Sequence, residues 1–162
     1  MKPSSLLFVI AVLISLSACS RTDLSAGGDL DLVPAALDDF PCADAMLDSL
    51  VSLSVEGSTA GQRNELTGSC GGDEASDVAF VWTAPTTDTW EISTTGSAFD
   101  TILYVFEGGC DADELACNDD SGGDLLTSRV VVSVDEGTPL VIGVDGFDDE
   151  SGAFRLVIQP FP

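Results

Sequence analysis

A chain of 162 residues, 44% of them hydrophobic, has room for one folded domain with a core beside an N-terminal leader. Asp and Glu total 28 against five Lys and Arg, so the net charge of −23 argues against nucleic acid and anionic lipid as partners. The chain has no His, which excludes the Ser-His-Asp and Cys-His arrangements of nucleophilic catalysis.

The N-terminus predicts a lipoprotein signal peptide over residues 1–18. Lys2 supplies the positive charge, and residues 6–16 form an apolar run that is too short for a stable transmembrane helix. The sequence LSAC at 16–19 resembles the bacterial lipobox, where cleavage precedes a cysteine that is then lipidated; an ordinary signal peptide is the alternative. Because no Asp follows Cys19, the resemblance implies an outer-membrane lipoprotein that faces the periplasm or the cell surface.

Residues 19–40 are small, polar and acidic without a sustained period, which predicts a lipidated flexible tether. Residues 41–162 form the predicted domain, and the segment 77–84 is apolar on both faces, as expected of a strand buried on both sides. No segment of useful length has helical periodicity, so the pattern predicts an all-β, antiparallel β-sandwich. The predicted strands are 47–55, 77–84, 89–95, 101–106, 128–134, 138–144 and 153–159.

Four cysteines of the predicted domain, namely Cys42, Cys70, Cys110 and Cys117, are expected to form structural disulfide bonds after export. A thiolate zinc site is disfavoured, because the sequence has neither a CxxC pair nor a His. Four cysteines allow three pairings. We favour Cys42–Cys70 with Cys110–Cys117, since the nearest pair closes most easily.

The densest group of carboxylate and amide side chains comprises Asp100, Asn118, Asp119 and Asp120, and predicts a Ca²⁺ site. Calcium takes six to eight oxygen ligands, and these side chains with nearby turn carbonyls could supply several of them. The alternative is that they bind backbone amides in an Asx-type turn. The frame of an EF-hand loop is missing. A second acidic loop at 145–150 allows the same two interpretations.

Six motifs follow one another along the predicted domain. They are NELTGSCGG at 64–72, DVAFVWTAP at 77–85, FDTILYV at 99–105, LACNDD at 115–120, SRV at 128–130 and VDGFDDESG at 144–152. This ordered set resembles the bacterial pre-peptidase C-terminal domain, in the cysteine-containing form of delta-proteobacterial and myxobacterial surface proteins. The resemblance implies a jelly-roll-like β-sandwich of about seven to nine short strands with an exported binding or accessory role. Some relatives bind calcium or insoluble polymers.

The sequence therefore predicts an outer-membrane lipoprotein without a catalytic site. Its partners are expected to be the membrane, through the lipid on Cys19, and an unknown extracytoplasmic protein or polysaccharide. Two alternatives stay open. One is a purely structural envelope lipoprotein without a specific ligand, and the other is a small hydrolase that uses a pair of carboxylates.

Overall fold

The computed structural model describes residues 36–122 and 125–162. The predicted signal peptide, the lipidation site Cys19 and the tether up to residue 35 lie outside the described residues. Within the described ranges, no helix has the length and apolar character needed to cross a bilayer. A 3-10 turn at Leu37–Asp39 precedes nine strands. The strands are β1 (Ala45–Met46), β2 (Leu53–Ser58), β3 (Val78–Thr83), β4 (Asp88–Ser93), β5 (Thr101–Glu107), β6 (Glu114–Asn118), β7 (Arg129–Val134), β8 (Pro139–Gly146) and β9 (Ala153–Pro160).

The strands form two sheets, which confirms the predicted all-β sandwich. Sheet A has five strands in the order β1-β3-β8-β5-β6, and sheet B has four in the order β2-β9-β4-β7. All ladders are antiparallel except the two-residue pairing of β1 with β3, which is parallel. Strands that follow each other in sequence, such as β3 and β4, often lie in opposite sheets, so the connections cross the sandwich.

The main core fills the space between the sheets, and it is built from the apolar side chains that alternate along each strand. In β7 the three valines Val130, Val132 and Val134 are buried while their neighbours are exposed, as the sequence pattern predicts. The two tryptophans, Trp82 of sheet A and Trp90 of sheet B, meet edge to face with ring centroids 4.8 Å apart. These contacts join the two sheets through their largest buried side chains.

A second apolar cluster lies on the outer face of sheet A, which explains why β3, β5 and β8 are buried on both sides. Val81, Ile102 and Tyr104 point to this face, and irregular segments that contain Phe40 and Leu66 cover them. Because such segments carry little regular hydrogen bonding, they need other restraints to stay on the sheet. The two disulfide bonds supply these restraints.

The predicted disulfide pairing is wrong. Cys42 is bonded to Cys110 and Cys70 to Cys117, with Cα atoms 5.8 Å apart in both bonds. The segment between Cys110 and Cys117 was expected to be a short loop, but its second half is β6. Cys117 lies opposite Tyr104, whereas Cys110 lies beyond the end of β5 at Glu107. The three steps of about 3.3 Å from Tyr104 to Glu107 alone cover about 10 Å, which is farther than a disulfide can span. The strand thus carries Cys117 away from its neighbour in sequence.

The predicted strand at 47–55 is also wrong over most of its length. Strand β2 begins only at Leu53, and residues 47–52 form a connection between the two sheets. Strand β6 was not predicted, because its sequence ELACN has one long apolar side chain and an alternation too short to recognise. Its extended form depends on pairing with β5, a contact between different parts of the chain.

Candidate metal centre

Three separate segments of the chain meet at one end of the sandwich. Strand β5 lies between β6 and β8 in sheet A and is antiparallel to both. The start of β5 therefore lies beside the ends of its two neighbours, with Leu103 opposite Asn118 and Thr101 opposite Gly146. The residues just outside these strand ends are the acidic ones that the sequence singles out. Antiparallel pairing thus brings the two acidic loops to the same end of the sandwich.

Asp100, Asp119 and Asp120 form one cluster, with a carboxylate oxygen of each within 4.8 Å of the others. Within the described part of the chain, this is the group of at least three acidic side chains that could hold a metal ion. Asp100 and Asp119 are partly buried, and Asp120 is exposed. The cluster is thus open to solvent on one side and closed on the other.

Two oxygens of this cluster have no hydrogen-bond partner within the described residues. The Oδ1 atoms of Asp100 and Asp119 are both shielded from solvent and both lack a donor. Burial, followed by the charges of neighbouring carboxylates, raises the pKa of Asp100 above its usual range. The pKa of Asp119 is raised for the same two reasons. Buried carboxylate oxygens are normally paired, so this arrangement lacks a positive partner.

The second acidic loop, at 145–150, contributes charge to the same place. The amide of Asp100 donates to Glu150 Oε2 at 2.9 Å, and the amide of Phe147 donates to the carbonyl of Asp100 at 3.0 Å. The charge of Asp148 contributes to the raised pKa of both Asp100 and Asp119. Asp148 also has a φ of 51°, in the left-handed region that side chains other than glycine seldom adopt. The sequence indicated this loop as a separate candidate site. In the structure it lies beside Asp100, at the same end of the sandwich as the aspartate cluster.

Asn118 has a different role from the three aspartates. Its Oδ1 accepts a hydrogen bond from the Arg129 amide at 2.8 Å, and its Nδ2 donates to the carbonyl of Asp120 at 3.0 Å. The side chain therefore joins β6 to the start of β7 and holds the carbonyl of Asp120. Binding of a backbone amide is what the alternative interpretation expected, but this amide lies eleven residues on and does not belong to an Asx-type turn. These bonds do not account for the Asp100 and Asp119 oxygens.

The first acid of the second acidic loop is buried, which the sequence did not predict. Asp145 is fully buried at the end of β8, where its Oδ1 accepts from the Gly146 amide at 2.7 Å and its Oδ2 from the Tyr104 hydroxyl at 3.2 Å. Burial is the main cause that raises the pKa of Asp145 to about 6, and the charge of Asp77 adds to it. The only signal in the sequence was an Asp directly after the apolar residues of a strand.

The comparisons with known proteins concern the fold. No protein-family model matches the chain, and no curated protein matches it. The periplasmic inhibitor PliG of g-type lysozyme from Aeromonas hydrophila is similar in structure, with a TM-score of 0.50, 15% identity, and coverage of 71% of this chain and 93% of that one. The pre-peptidase C-terminal domain of a collagenase from Bacillus anthracis gives a TM-score of 0.49, 13% identity, and coverage of 72% and 96%. At this identity the likeness to PliG is one of fold alone.

Proposed function

We propose that the chain is a non-catalytic binding module outside the cytoplasm, anchored to the outer membrane by a lipid on Cys19 and stabilised by calcium. The observation that carries the proposal is the pair of buried, unpartnered oxygens on Asp100 and Asp119. The two disulfide bonds support a location in an oxidising compartment, where such bonds form and persist. The absence of His from the whole sequence supports the non-catalytic part of the proposal.

Calcium fits this site better than zinc does. The side chains at the site are carboxylates, and hard oxygen ligands suit Ca²⁺, whereas zinc favours His and Cys. The Asp100 and Asp119 side chains would hold the ion, and Asp120 would complete the group from the solvent side. A bound cation would supply the positive charge that the cluster lacks, which offsets the mutual repulsion of its carboxylates.

Calcium is expected to raise the melting temperature of the protein by several degrees. A ligand present at 100 times its Kd stabilises the folded state by about 2.7 kcal/mol, and extracellular calcium modules bind in the range of roughly 0.1–1 mM. Thermal melts in excess calcium and in EDTA test this. In Asp119→Asn the calcium shift should largely disappear, while melting in EDTA should be as high as in the original protein, because one repelling charge is gone.

Asp111→Asn is the matched control for this experiment, since Asp111 is exposed and lies in the turn between β5 and β6. It removes one carboxylate but should keep the full calcium shift. Equal melting temperatures in calcium and EDTA would refute the metal site. A shift that survives unchanged in Asp119→Asn would place the ion elsewhere.

Replacing the lipidation site is expected to release the protein from membranes. With Cys19→Ala, the exported protein would carry no acyl chain, and the net charge of −23 gives it no affinity for anionic lipid. Fractionation of an expressing bacterium, followed by immunoblotting, measures the soluble and membrane-bound shares. Ser17→Thr, which leaves the cysteine in place, is the control and should stay in the membrane fraction. Retention of Cys19→Ala in membranes would disprove the anchor.

The partner of the module is proposed to be an extracytoplasmic protein or polysaccharide. The Cys19→Ala protein can be passed over immobilised peptidoglycan, chitin and a g-type lysozyme, the last because PliG is an inhibitor of that enzyme. Saturable retention on one of these probes would support a binding role. If the protein binds none of these probes, the binding hypothesis is wrong. If the envelope is equally stable when the protein is absent, the hypothesis of a purely structural role is wrong as well.

A further inference from the structure

Strand β2 has an open edge. It pairs with β9 along all six residues from Leu53 to Ser58, and it is the terminal strand of sheet B. Apart from this ladder, no backbone group of these six residues forms a hydrogen bond in the described ranges. The outer row of amide and carbonyl groups therefore remains available. Unpaired edges of this kind are templates for the addition of another strand.

The other three edges of the sandwich are short or protected. Strand β1 has only two residues. Strand β6 is tied to the segment between β2 and β3 by the Ser69 amide, which donates to Glu114 Oε2 at 2.7 Å, and by the disulfide between Cys70 and Cys117. Strand β7 lies beside β6, and its first amide donates to Asn118. In the part of the chain that the structure describes, β2 is thus the long edge without a covering element.

Strand β2 also lacks the features that usually prevent edge pairing. Natural edge strands carry lysines, prolines or inward-pointing charges, whereas the sequence LSVEGS contains neither Lys nor Pro and one exposed acid, Glu56. An open edge without such features suits a strand that is meant to pair.

A groove lies beside this edge, lined by five apolar residues together with Asp48 and Ser54. It has a volume of about 290 Å³ and is lined by the connection between the sheets and by the start of β2. Met46 and Leu50 expose 40% and 52% of their surface there, while Leu53 and Val55 are partly buried against the main core. Asp48 lies in the same lining. An extended segment on the β2 edge would place alternate side chains over this groove.

We propose that the β2 edge binds an extended, basic segment of a partner protein, which adds a fifth strand to sheet B. Apolar side chains of the segment enter the groove, and its Lys or Arg side chains face Asp48 and Glu56. Charge decides between this occupant and a second copy of the chain, because two copies with a net charge of −23 each repel one another. The inference rests on the proposed binding role and names the class of partner.

A capped eight-residue peptide of alternating lysine and valine is the probe for this edge. Fluorescence anisotropy with the Cys19→Ala protein, at about 0.15 M salt to screen long-range attraction, should give saturable binding. Hydrogen exchange should slow selectively at residues 53–58. A peptide of the same composition with its lysines and valines in separate blocks, and one with N-methylated amides, should each bind at least about tenfold more weakly, because main-chain pairing carries much of the affinity in this mode.

Leu50→Asp is expected to weaken binding about tenfold, the effect of losing roughly 1.4 kcal/mol of apolar contact. Leu126→Asp is the matched control, since Leu126 is 54% exposed in a loop next to β7, at the opposite end of sheet B. Both changes add a negative charge, so non-specific attraction of a basic peptide would rise equally in both. A loss in Leu50→Asp alone therefore reports the groove.

Several results would overturn the inference. Equal binding of the N-methylated peptide would reduce the interaction to charge, and dimers in sedimentation would identify a second copy as the occupant. Slow exchange in the free monomer at those amides of residues 53–58 that do not bond to β9 would show that the edge is already covered. If the peptide does not bind, but the protein is retained on peptidoglycan, chitin or lysozyme, the edge inference is wrong and the binding role stands. If all probes fail, the binding role itself is wrong.

Discussion

Replacing both cysteines of either disulfide bond with alanine is expected to lower the free energy of unfolding by about 4 kcal/mol. The bonds close segments of 68 and 47 residues, and the chain-entropy model gives nearly the same value for both. Each bond also holds an irregular segment on the outer face of sheet A, where the second apolar cluster is buried. Urea unfolding of the two double variants, with the denaturant slope held in common, measures the loss.

A third double variant distinguishes the observed pairing from the one that the sequence predicted. Cys42→Ala with Cys70→Ala removes one partner from each observed bond, so it should lose both bonds and expose two free thiols, with a larger destabilisation than either true pair. A loss no larger than that of a single bond, with no free thiol detected, would show instead that Cys42 pairs with Cys70. Mapping of proteolytic fragments without reduction provides an independent check of the two bonds.

Asp145→Asn is expected to make the protein more stable than the original by as much as about 3 kcal/mol at pH 7 and above. The folded-state pKa of Asp145 is raised to about 6, whereas a free Asp has a pKa of about 3.9. The folded state therefore binds the proton more tightly, and the protonated Asp145 stabilises it fully below about pH 4. This contribution is lost as the pH rises through 6, and two pKa units correspond to about 3 kcal/mol.

Asparagine can keep both hydrogen bonds at this position. Its Oδ1 would accept from the Gly146 amide, and its Nδ2 would donate to the hydroxyl oxygen of Tyr104, which can act as acceptor as well as donor. The burial of a charge is removed, so the variant gains stability only where Asp145 is ionised. The hydroxyl hydrogen of Tyr104 loses Oδ2 as its acceptor, so about 3 kcal/mol is the upper limit of the gain. The gain should vanish near pH 4.

The measurement is the difference in unfolding free energy between Asp145→Asn and the original protein from pH 4 to pH 8, in EDTA. Taking the difference cancels the titration of groups that do not interact with Asp145, such as Asp119 and Glu91, whose pKa values are shifted in opposite directions. Asp149→Asn, at an exposed position of the next loop, should give a difference near zero throughout. A flat difference for Asp145→Asn as well would contradict the raised pKa.

The class of fold follows from local patterns that the sequence carries by itself. Alternation of apolar side chains, as at Val130, Val132 and Val134, predicts which face of a strand is buried, because successive side chains point to opposite sides. The continuous apolar segment 77–84 predicted a strand covered on both faces, and β3 is such a strand. These two predictions depend on only a few neighbouring residues, and the structure confirms both.

The disulfide pairing, the composition of the acidic end and the buried Asp145 were decided by tertiary structure. Each depends on segments tens of residues apart, such as Asp100 and Glu150, that meet only because β5 pairs antiparallel with β6 and β8. Strand β6 shows the physical reason most clearly. Its extended form comes from pairing with β5, and that form is what separates Cys110 from Cys117. Local sequence predicts what a segment can become, and the contacts between segments determine which oxygens and sulfurs meet.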